Sequence, residues 1–286
     1  MVVCGTMAPV RGWQAAAYGV TVARIARRGL RGGQRLPRVH AEERTVFVVG
    51  SPRSGTTFTG SALGSQPGFV DLGEVPLLKA AVPRLAGAAA DEQAREVRRI
   101  LERVRTFGFV RGLRAVEQNP ETSYVLAGAL LAYPQGRAVH VLRDGRDVVC
   151  SLLERGWLGA GRGGRDDARQ PYGRHARFWV EPERVEEFER ASDARRAAWA
   201  WRRYVTAARA VPERTVELRY ESLVESPHAE ADRVAAALGA EPEPLRRAFA
   251  EVHGSSLGRW RRELSSQQLA DVEAEAGEVL AELGYL

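Results

Sequence analysis

A short segment that follows an apolar run carries residue types that bind anions. Residues 50–57 contain two glycines, one arginine and four hydroxyl side chains. Gly50 and Gly55 permit a tight backbone path, and a helix that begins after the second glycine points its free N–H groups at the same place. Arg53 adds a positive charge. This combination predicts a binding site for a phosphate or sulfate group.

The spacing of the two glycines matches half of the ATP-binding loop Gly-x4-Gly-Lys-Ser/Thr. Thr56 stands where that loop has its lysine, and the only cation inside the segment is Arg53. A phosphotransferase would therefore lack the lysine that contacts the β- and γ-phosphates of ATP. A phosphotransferase nevertheless stays an alternative function. It would also require an acidic ligand for Mg²⁺, and preferential binding of Mg-ATP would favour it.

Residues 52–58, Pro-Arg-Ser-Gly-Thr-Thr-Phe, resemble the 5′-phosphosulfate loop of the sulfotransferases that use 3′-phosphoadenosine 5′-phosphosulfate (PAPS). The resemblance implies an enzyme that moves the sulfuryl group of PAPS to a hydroxyl, or to an amine, without requiring a metal ion. It also implies that Arg53 stabilises the leaving group and that Phe58 stacks on the adenine. The residues assigned to the 5′-phosphosulfate are Arg53, Ser54, Gly55, Thr56 and Thr57.

A second segment supplies the other half of a nucleotide site. Residues 139–142 read as a buried strand, and the following residues turn into a helix. This segment resembles the family's 3′-phosphate motif, in which an arginine at the strand end and a serine eight residues later hold the phosphate. Those positions are Arg143 and Ser151. Taken alone, the segment also fits a salt-bridged turn in which Asp144 and Asp147 cap the helix.

Glu74 is the leading candidate for the general base. It follows Gly73 at the end of a predicted strand, 21 residues after Arg53. In the tyrosylprotein sulfotransferases and related bacterial enzymes, which this chain resembles most in motif style, a Gly-Glu pair at this place supplies the catalytic carboxylate. A carboxylate in the first turn of the next helix is a compatible structural role. The small-molecule sulfotransferases use a histidine, and His175 is the alternative base among His140, His175, His228 and His253.

Two later segments extend the resemblance. Tyr220 follows a predicted strand where the family has a tyrosine that approaches the nucleotide, and a core tyrosine explains the position equally well. A loop near the C-terminus resembles the one that closes on the 3′-phosphate and the adenine. Its candidate contacts are Ser255, Ser256, Gly258 and Arg259.

The sequence departs from the family at residue 118. Relatives commonly carry a lysine there, which helps to neutralise the transferring sulfuryl group. Gln118 donates a hydrogen bond but supplies no charge. Either Arg53 carries more of the electrostatic stabilisation or another arginine enters the site. The departure bears on turnover more than on nucleotide binding, and it leaves a non-catalytic nucleotide-binding module as an alternative.

Predicted strands and helices alternate along the chain, which indicates a parallel sheet covered on both faces. We expect a three-layer α/β fold similar to that of P-loop proteins. The predicted strands are 45–50, 69–72, 114–117, 138–142 and 214–219. The predicted helices include 56–65, 75–86, 91–106, 122–133, 146–155, 184–209, 227–238, 243–252 and 266–283.

Composition indicates one enzyme domain, residues 42–286, after a basic N-terminal extension, residues 1–41. Of the 286 residues 44% are apolar, which is enough for a substantial core. Cys4 and Cys150 are the only cysteines, and they form neither a metal motif nor a disulfide framework. This usage suits the cytoplasm, and no apolar run approaches the roughly 20 residues that span a bilayer.

The net charge of +6 lies in the extension, because residues 1–41 hold seven arginines and no acidic residue. The rest of the chain is nearly balanced, which argues against a nucleic-acid partner. Residues 13–30 have helical potential with arginine-rich flanks. Peripheral contact with an anionic membrane is therefore an expectation, beside the simpler one of an adaptable extension.

The acceptor is expected to be a small molecule, a glycan or a lipid headgroup. Residues 155–196 combine arginines with aromatic side chains and are predicted to line part of its site. The candidates in this segment are Trp157, Tyr172, His175, Phe178 and Trp179.

Overall fold

The computed structural model describes residues 12–31, 44–158 and 177–286. Within these ranges, five strands form one sheet in which every neighbouring pair is parallel. The strands are β1 (Val46–Val49), β2 (Phe69–Gly73), β3 (Arg114–Glu117), β4 (Arg137–Leu142) and β5 (Thr215–Arg219). Their order across the sheet is β2-β3-β1-β4-β5. The predicted parallel α/β fold is confirmed.

Helices connect the strands and cover the sheet. They are α1 (Gly12–Arg31), α2 (Thr56–Gly64), α3 (Pro76–Leu85), α4 (Ala90–Phe107), α5 (Leu126–Ala132), α6 (Gly145–Arg155), α7 (Val185–Arg190), α8 (Asp193–Ala208), α9 (Tyr220–Glu225), α10 (Pro227–Leu238), α11 (Pro242–Phe249), α12 (Trp260–Glu263) and α13 (Ser266–Glu282). Short 3₁₀ helices occupy Pro120–Val125, Pro182–Arg184 and Pro212–Arg214. No helix in the described part of the chain is both long enough and apolar enough to cross a bilayer.

Strand β1 lies in the middle of the sheet, and all four of its residues are buried. Val46 and Val48 pack on one face with residues of α2, α10 and α11. Phe47 and Val49 pack on the other face with residues of α3, α4 and α5. The alternation follows from the two-residue period of a strand, and it gives the molecule three layers.

The loop after β1 lies where the direction of strand addition reverses. The chain proceeds from β1 outward to β2, returns to β3 beside β1, and then crosses to β4 on the other side of β1. In open parallel sheets this reversal leaves a ligand-binding crevice at the carboxyl ends of the strands. Gly50 begins the loop with φ 134°, and a Cβ atom there would lie 2.4 Å from the carbonyl oxygen of Val141. Only glycine fits that approach.

Helix α1 belongs to the segment that the sequence predicts to be an extension, and it packs against β2, α3 and α4. Its Ile25 is fully buried in the same core as residues of α3 and α4. Arg28 forms an ion pair with Asp71 of β2, with 2.6 Å between Nη1 and Oδ2. Arg24 donates to the carbonyl oxygen of Glu74 at 3.3 Å. The division of the chain after residue 41 stays a prediction.

Two predicted helices are divided in the structure. Residues 184–209 form α7 and α8, and the prediction of one helix was wrong because the Ser192 side chain caps α8 by accepting from the Arg195 N–H. Residues 122–133 begin inside the 3₁₀ helix that Pro120 opens and continue as α5. Both differences arise from local hydrogen bonding at helix starts.

Candidate active site

The loop between β1 and α2 adopts the conformation that an anion site requires. Gly55 is the N-cap of α2 with φ 99°, and Arg53 also lies in the left-handed region with φ 72°. That region is strained for an arginine, and strain of this kind is concentrated at ligand sites. The positive end of the α2 dipole faces the loop, and the first turn of α2 contains no acidic residue that would offset it.

Tyr220 holds this loop against the second phosphate motif. A Cβ atom on Gly55 would lie 2.7 Å from the Tyr220 ring, so the ring fills the space of a side chain at residue 55. The guanidinium of Arg143 lies over the same ring, 5.0 Å from its centroid. Burial raises the pKa of the Tyr220 hydroxyl, which donates to the carbonyl oxygen of His253 at 2.8 Å. One aromatic ring therefore contacts both motifs.

The two phosphate motifs meet at the carboxyl edge of the sheet. The Nε of Arg53 donates to Oγ of Ser151 at 3.0 Å. Nη1 of Arg143 donates to the carbonyl oxygen of Arg53 at 3.4 Å, across 90 residues of sequence. Two arginines and the N-terminus of α2 are thus brought to one crevice by the fold.

The loop after α11 lies on the second motif. Arg143 donates through Nη2 to the carbonyl oxygen of Ser256. Asp147 accepts from the backbone N–H groups of Gly258 and Trp260, at 2.7 and 3.1 Å. Gly258 has φ 67°, which suits the tight path of this loop. The segment that the sequence predicts to close on the 3′-phosphate therefore lies beside Arg143.

Arg259 is paired with acidic side chains. Its guanidinium lies 3.2 Å from Glu154 of α6 and 2.6 Å from Glu263, and the hydrogen bond with Glu263 raises the pKa of Arg259. Ser255 is exposed in the same loop. Both residues stay predicted nucleotide contacts, and Arg259 would have to exchange its acidic partners for a phosphate.

The turn into α6 also has the structural role that its sequence allows. Asp144 is the N-cap of α6 and accepts from the N–H of Arg146 at 2.9 Å. Asp147 faces the C-terminal loop instead of capping the helix. Capping and phosphate contact use different residues, so the two interpretations of this turn are compatible.

A cavity of about 430 Å³ opens beside the phosphate loop, on the side of β2. Residues of the loop, α1, β2, α3 and the segment after β3 line it. Its charged lining residues are Arg24, Arg28, Arg53, Asp71, Glu74, Lys79 and Glu121. Its other lining residues include Thr56, Thr57, Gln118 and Trp157. A polar cavity of this size can hold an acceptor next to the phosphate loop.

Glu74 reaches this cavity from the end of β2 and is paired with Lys79. The Nζ of Lys79 lies 2.9 Å from Oε2 of Glu74 and 3.5 Å from Oε1 of Glu121. The Glu74 side chain is 36% exposed and that of Lys79 only 12%. The carboxylate is thus open to a ligand, while the ammonium group is held deeper in the wall between two carboxylates.

Gln118 is bonded to the phosphate loop. Its Nε2 donates to Oγ1 of Thr56 at 3.2 Å, and its Cβ and Cγ lie close to Gly60 of α2. A neutral amide occupies this position, and Lys79 supplies a cation to the same cavity.

Buried polar atoms of the two motifs fit a phosphorylated ligand. Oγ of Ser54 and Nε of Arg143 are buried, and neither has a hydrogen-bond partner among the described residues. Buried polar groups normally have partners, and phosphate oxygens would satisfy both. Among the same residues, no group of three or more His, Cys, Asp or Glu side chains is arranged to hold a metal ion.

The aromatic residues expected at the acceptor site lie in different environments. Trp157 lines the cavity, with the Arg53 guanidinium 5.8 Å from its ring centroid. Trp179 is 2% exposed, so its assignment to the acceptor site was wrong: it packs edge-on against Phe188 in the core formed with α7 and α8. Phe178 packs against Tyr124 at 4.9 Å. Tyr172 and His175 lie outside the described residues.

Phe58 and His140 are not among the residues that line the cavity with Glu74. The Phe58 ring is 6.3 Å from that of Phe249, at the edge of the core, and its contact with adenine stays a prediction. His140 is fully buried in β4, and burial lowers its pKa. It lies 3.4 Å from Glu217 on the neighbouring strand, so it has a structural environment.

Sequence reasoning missed the parts of the cavity that α1 and α3 supply. Lys79 carries a recognisable signal, because it is the only lysine in the chain and lies five residues after Glu74. Arg24 and Arg28 carry no such signal, since nothing in the sequence places α1 against β2. Glu121 follows a proline in a turn and reads as an ordinary first-turn carboxylate.

A profile of the sulfotransferase family matches residues 45–244. The chain therefore belongs to the sulfotransferase family, whose members are PAPS-dependent enzymes. The matched range contains the phosphate loop, the second motif and Glu74. No significant match is found among curated proteins.

Solved sulfotransferase structures are similar to this chain at low sequence identity, and one of them supports the shared fold. The sulfotransferase domain from the curacin biosynthetic pathway has a TM-score of 0.53 at 16% identity, over 88% of this chain and 99% of its own. The corresponding domain of the olefin synthase of Synechococcus PCC 7002 has a TM-score of 0.49 at 14% identity, over 82% and 94%. The sulfotransferase STF9 of Mycobacterium avium has a TM-score of 0.49 at 14% identity, over 96% and 87%.

Glu117 lies at the end of β3, next to Gln118, and is fully buried. The Thr122 hydroxyl donates to its Oε2 at 3.0 Å. Burial raises the pKa of this carboxyl well above 4.5, and the negative charges of Glu121 and Glu74 raise it further. The folded protein therefore keeps a proton that the unfolded chain releases.

We expect Glu117→Gln to gain stability relative to the wild type as the pH rises above 4.5, the ordinary pKa. The contribution of Glu117 to wild-type stability is fully present below that pH and is lost as the pH rises toward the raised pKa. Glutamine keeps the Thr122 bond and has no proton to lose. The difference should grow by up to about 1.4 kcal/mol per pH unit. Urea unfolding over a range of pH measures it, with the exposed Glu273→Gln as control. A difference independent of pH would contradict the buried proton.

Proposed function

We propose that this protein transfers the sulfuryl group of PAPS to an acceptor hydroxyl, or to an amine, with Glu74 as the general base. The observation that carries the proposal is the convergence of two motifs: Arg53 and Arg143 share one crevice, and Glu74 lines a cavity that Arg53 also lines. One crevice can then hold both phosphorylated ends of the nucleotide, with the carboxylate beside the sulfuryl group.

Each motif has a distinct task in this proposal. Arg143 and Ser151 hold the 3′-phosphate, because a guanidinium binds phosphate through two parallel hydrogen bonds. The backbone N–H groups at the start of α2 bind the 5′-phosphate, and Ser54 adds a buried hydroxyl. Bound PAPS supplies the activated sulfuryl group. Arg53 stabilises the charge that develops on the bridging oxygen.

Glu74 accepts the proton of the acceptor. Its carboxylate is open to the cavity, and Oε2 lies 2.9 Å from the Nζ of Lys79, which holds the side chain at the cavity wall. A carboxylate base links this chain to the tyrosylprotein sulfotransferases in motif style. The cavity carries charges of both signs and Trp157, which suits a hydroxyl on a sugar, a phenol, a glycan or a lipid headgroup.

Lys79 supplies the positive charge that Gln118 does not. Both residues line the cavity, and Gln118 reaches Thr56 of the phosphate loop. The sulfuryl group is anionic and negative charge develops on its leaving oxygen during transfer, and a cation in a partly desolvated wall stabilises this charge more than the same cation in water. Lys79 and Arg53 then act on the sulfuryl group from two walls of one cavity.

We expect Arg143→Met to weaken binding of 3′,5′-adenosine bisphosphate by about 10- to 100-fold, because a charged hydrogen-bond partner of the phosphate is lost. Isothermal titration calorimetry measures the affinity. Arg137→Met is the matched control, since Arg137 is exposed at the opposite end of the same strand. Thermal unfolding shows whether the variants fold. Stabilisation by Mg-ATP, with none by the bisphosphate, would favour a phosphotransferase.

Glu74→Gln should lower kcat by about 10²- to 10⁴-fold, the usual contribution of a positioned base. Bisphosphate binding should persist, because the change leaves both phosphate motifs intact. Transfer of radiolabelled sulfate from PAPS is measured with the best substrate from a panel of hydroxyl and amine acceptors. Glu243→Gln, on the exposed side of α11, should match the wild type. Full turnover in the Glu74 variant would exclude this residue as the base.

Lys79→Met should lower kcat by about 10²-fold, as expected when one electrostatic donor is removed. Lys79→Arg should retain part of the activity. Adding Gln118→Lys to the Lys79→Met variant returns a cation to the same cavity and should recover part of the lost rate.

The same radiolabelled-sulfate assay separates this role from a purely structural one. A lysine that only held Glu74 in place could not be replaced by a cation at residue 118. Absence of recovery in a double variant that folds and binds the bisphosphate normally would contradict a direct electrostatic role for Lys79.

A further inference from the structure

Large apolar side chains are exposed mainly in one region of the described chain. Val20 and Leu30 on α1 are 71% and 85% exposed, and Phe107 and Phe109 at the end of α4 and just after it are 58% and 90% exposed. These are four of the seven exposed large apolar side chains in the described residues. Such clustering indicates an interaction surface, whereas scattered exposed apolar residues do not.

The two elements that carry these side chains pack on each other. A Cβ atom on Gly108 would lie 2.8 Å from Cγ2 of Ile25, and one on Gly29 would lie 2.5 Å from Cγ1 of Val110. The turn that contains Phe109 therefore rests on α1 at the level of its last two turns. Val20 and Leu30 are therefore exposed on the helix against which the turn of Phe109 packs.

Phe109 is held outward in a strained conformation. Its φ is 56°, in the left-handed region that a bulky aromatic residue rarely adopts. Asparagine or glycine would occupy this position with less strain. A strained residue whose ring remains 90% exposed suggests a function for the ring outside the fold.

The same side of α1 is basic. Val20, Ala23, Arg24, Arg27 and Arg28 line one shallow groove, so arginines and an apolar side chain share this face. Residues 1–41 contain no acidic residue that could neutralise them in sequence. Arginines interleaved with protruding apolar side chains are typical of helices that lie in the interface of an anionic bilayer.

We propose that Val20, Arg24, Arg27, Leu30 and Phe109 form a docking surface for an anionic lipid bilayer. Arg27 contacts the headgroups, and the apolar tips enter the boundary between headgroups and acyl chains. Arg24, whose Nη2 donates to the carbonyl oxygens of Leu72 and Glu74, adds its positive charge to the same face. A second copy of the chain fits less well, because a two-fold contact would bring the same arginines of two copies together.

The docking surface adjoins the active-site cavity. Arg24 and Arg28 line both the groove and the cavity, and Arg24 donates to the carbonyl oxygens of Leu72 and Glu74 at 3.2 and 3.3 Å. One helix therefore presents a basic face to a lipid surface and closes one wall of the cavity. This proposal goes beyond the sulfuryl transfer and does not depend on it.

Sedimentation with vesicles of phosphatidylcholine containing about one third phosphatidylglycerol tests the surface, with pure phosphatidylcholine vesicles as reference. We expect the full chain to bind the anionic vesicles preferentially and to lose binding as salt is added. Arg27→Ala should weaken binding about fivefold, the factor that corresponds to about 1 kcal/mol per arginine near an anionic surface. Leu30→Ser and Phe109→Asn should each weaken it by up to about tenfold.

Phe109→Asn distinguishes a docking role from a structural one. It relieves the left-handed strain, so its unfolding temperature should equal or exceed that of the wild type while vesicle binding falls. Val185→Ser and Arg247→Ala, exposed on other helices, should bind vesicles as the wild type does.

Several outcomes would overturn the docking surface. They are absence of wild-type binding, equal binding to both kinds of vesicle, or undiminished binding by the three variants. Light scattering adds another, since a dimer that Phe109→Asn dissociates would assign the surface to self-association. Calorimetry with the bisphosphate is independent of all these results. A failure of the docking surface is therefore distinguishable from a failure of the proposed activity.

Discussion

The site depends on the contact of one aromatic ring with two turns. Tyr220 lies against Gly55 on one side and beneath Arg143 on the other, and its hydroxyl is anchored on the carbonyl oxygen of His253. The rigid Tyr220 ring therefore helps to set the spacing between the two turns, together with the hydrogen bonds of the Arg53 and Arg143 side chains. A side chain at residue 55 would displace the ring and separate the motifs. The glycine is required for this contact as much as for its φ of 99°.

The fold and the positions of the two turns were predictable because their signals are local. Strand β1 is buried on both faces and reads as a continuous apolar run, and β4 is apolar except for Arg137 and the buried His140. Each strand is followed by a turn that contains glycine and arginine, the residue types that favour anion binding. The break before Ser192 and the core position of Trp179 were not predictable in this way. A single serine cap is a weak signal inside a long helical pattern, and an aromatic residue near a loop reads the same whether it packs inward or lines a pocket.

The distribution of charge in the cavity could not be predicted from the sequence, because it is set by tertiary contacts. Glu74, Glu117 and Glu121 come from two strand ends and a turn, and Lys79 bonds to the first and third of them. Burial raises the pKa of Glu117, so this carboxyl adds no negative charge where an exposed glutamate would. The charged side chains that line the cavity are four cations and three carboxylates, several of them paired with one another.

Helix α1 shows how a segment outside the sequence motifs becomes part of the site. The sequence separates residues 1–41 by charge alone, yet Arg28 binds Asp71 and Arg24 binds the backbone at Glu74. These contacts tie the helix to β2 and to Glu74, the proposed base. Because Arg24 and Arg28 also line the groove on the basic face, a lipid surface bound there would lie against the wall of the cavity. An acceptor hydroxyl at the surface of a bilayer would then approach Glu74 along α1 without first crossing the bulk solvent.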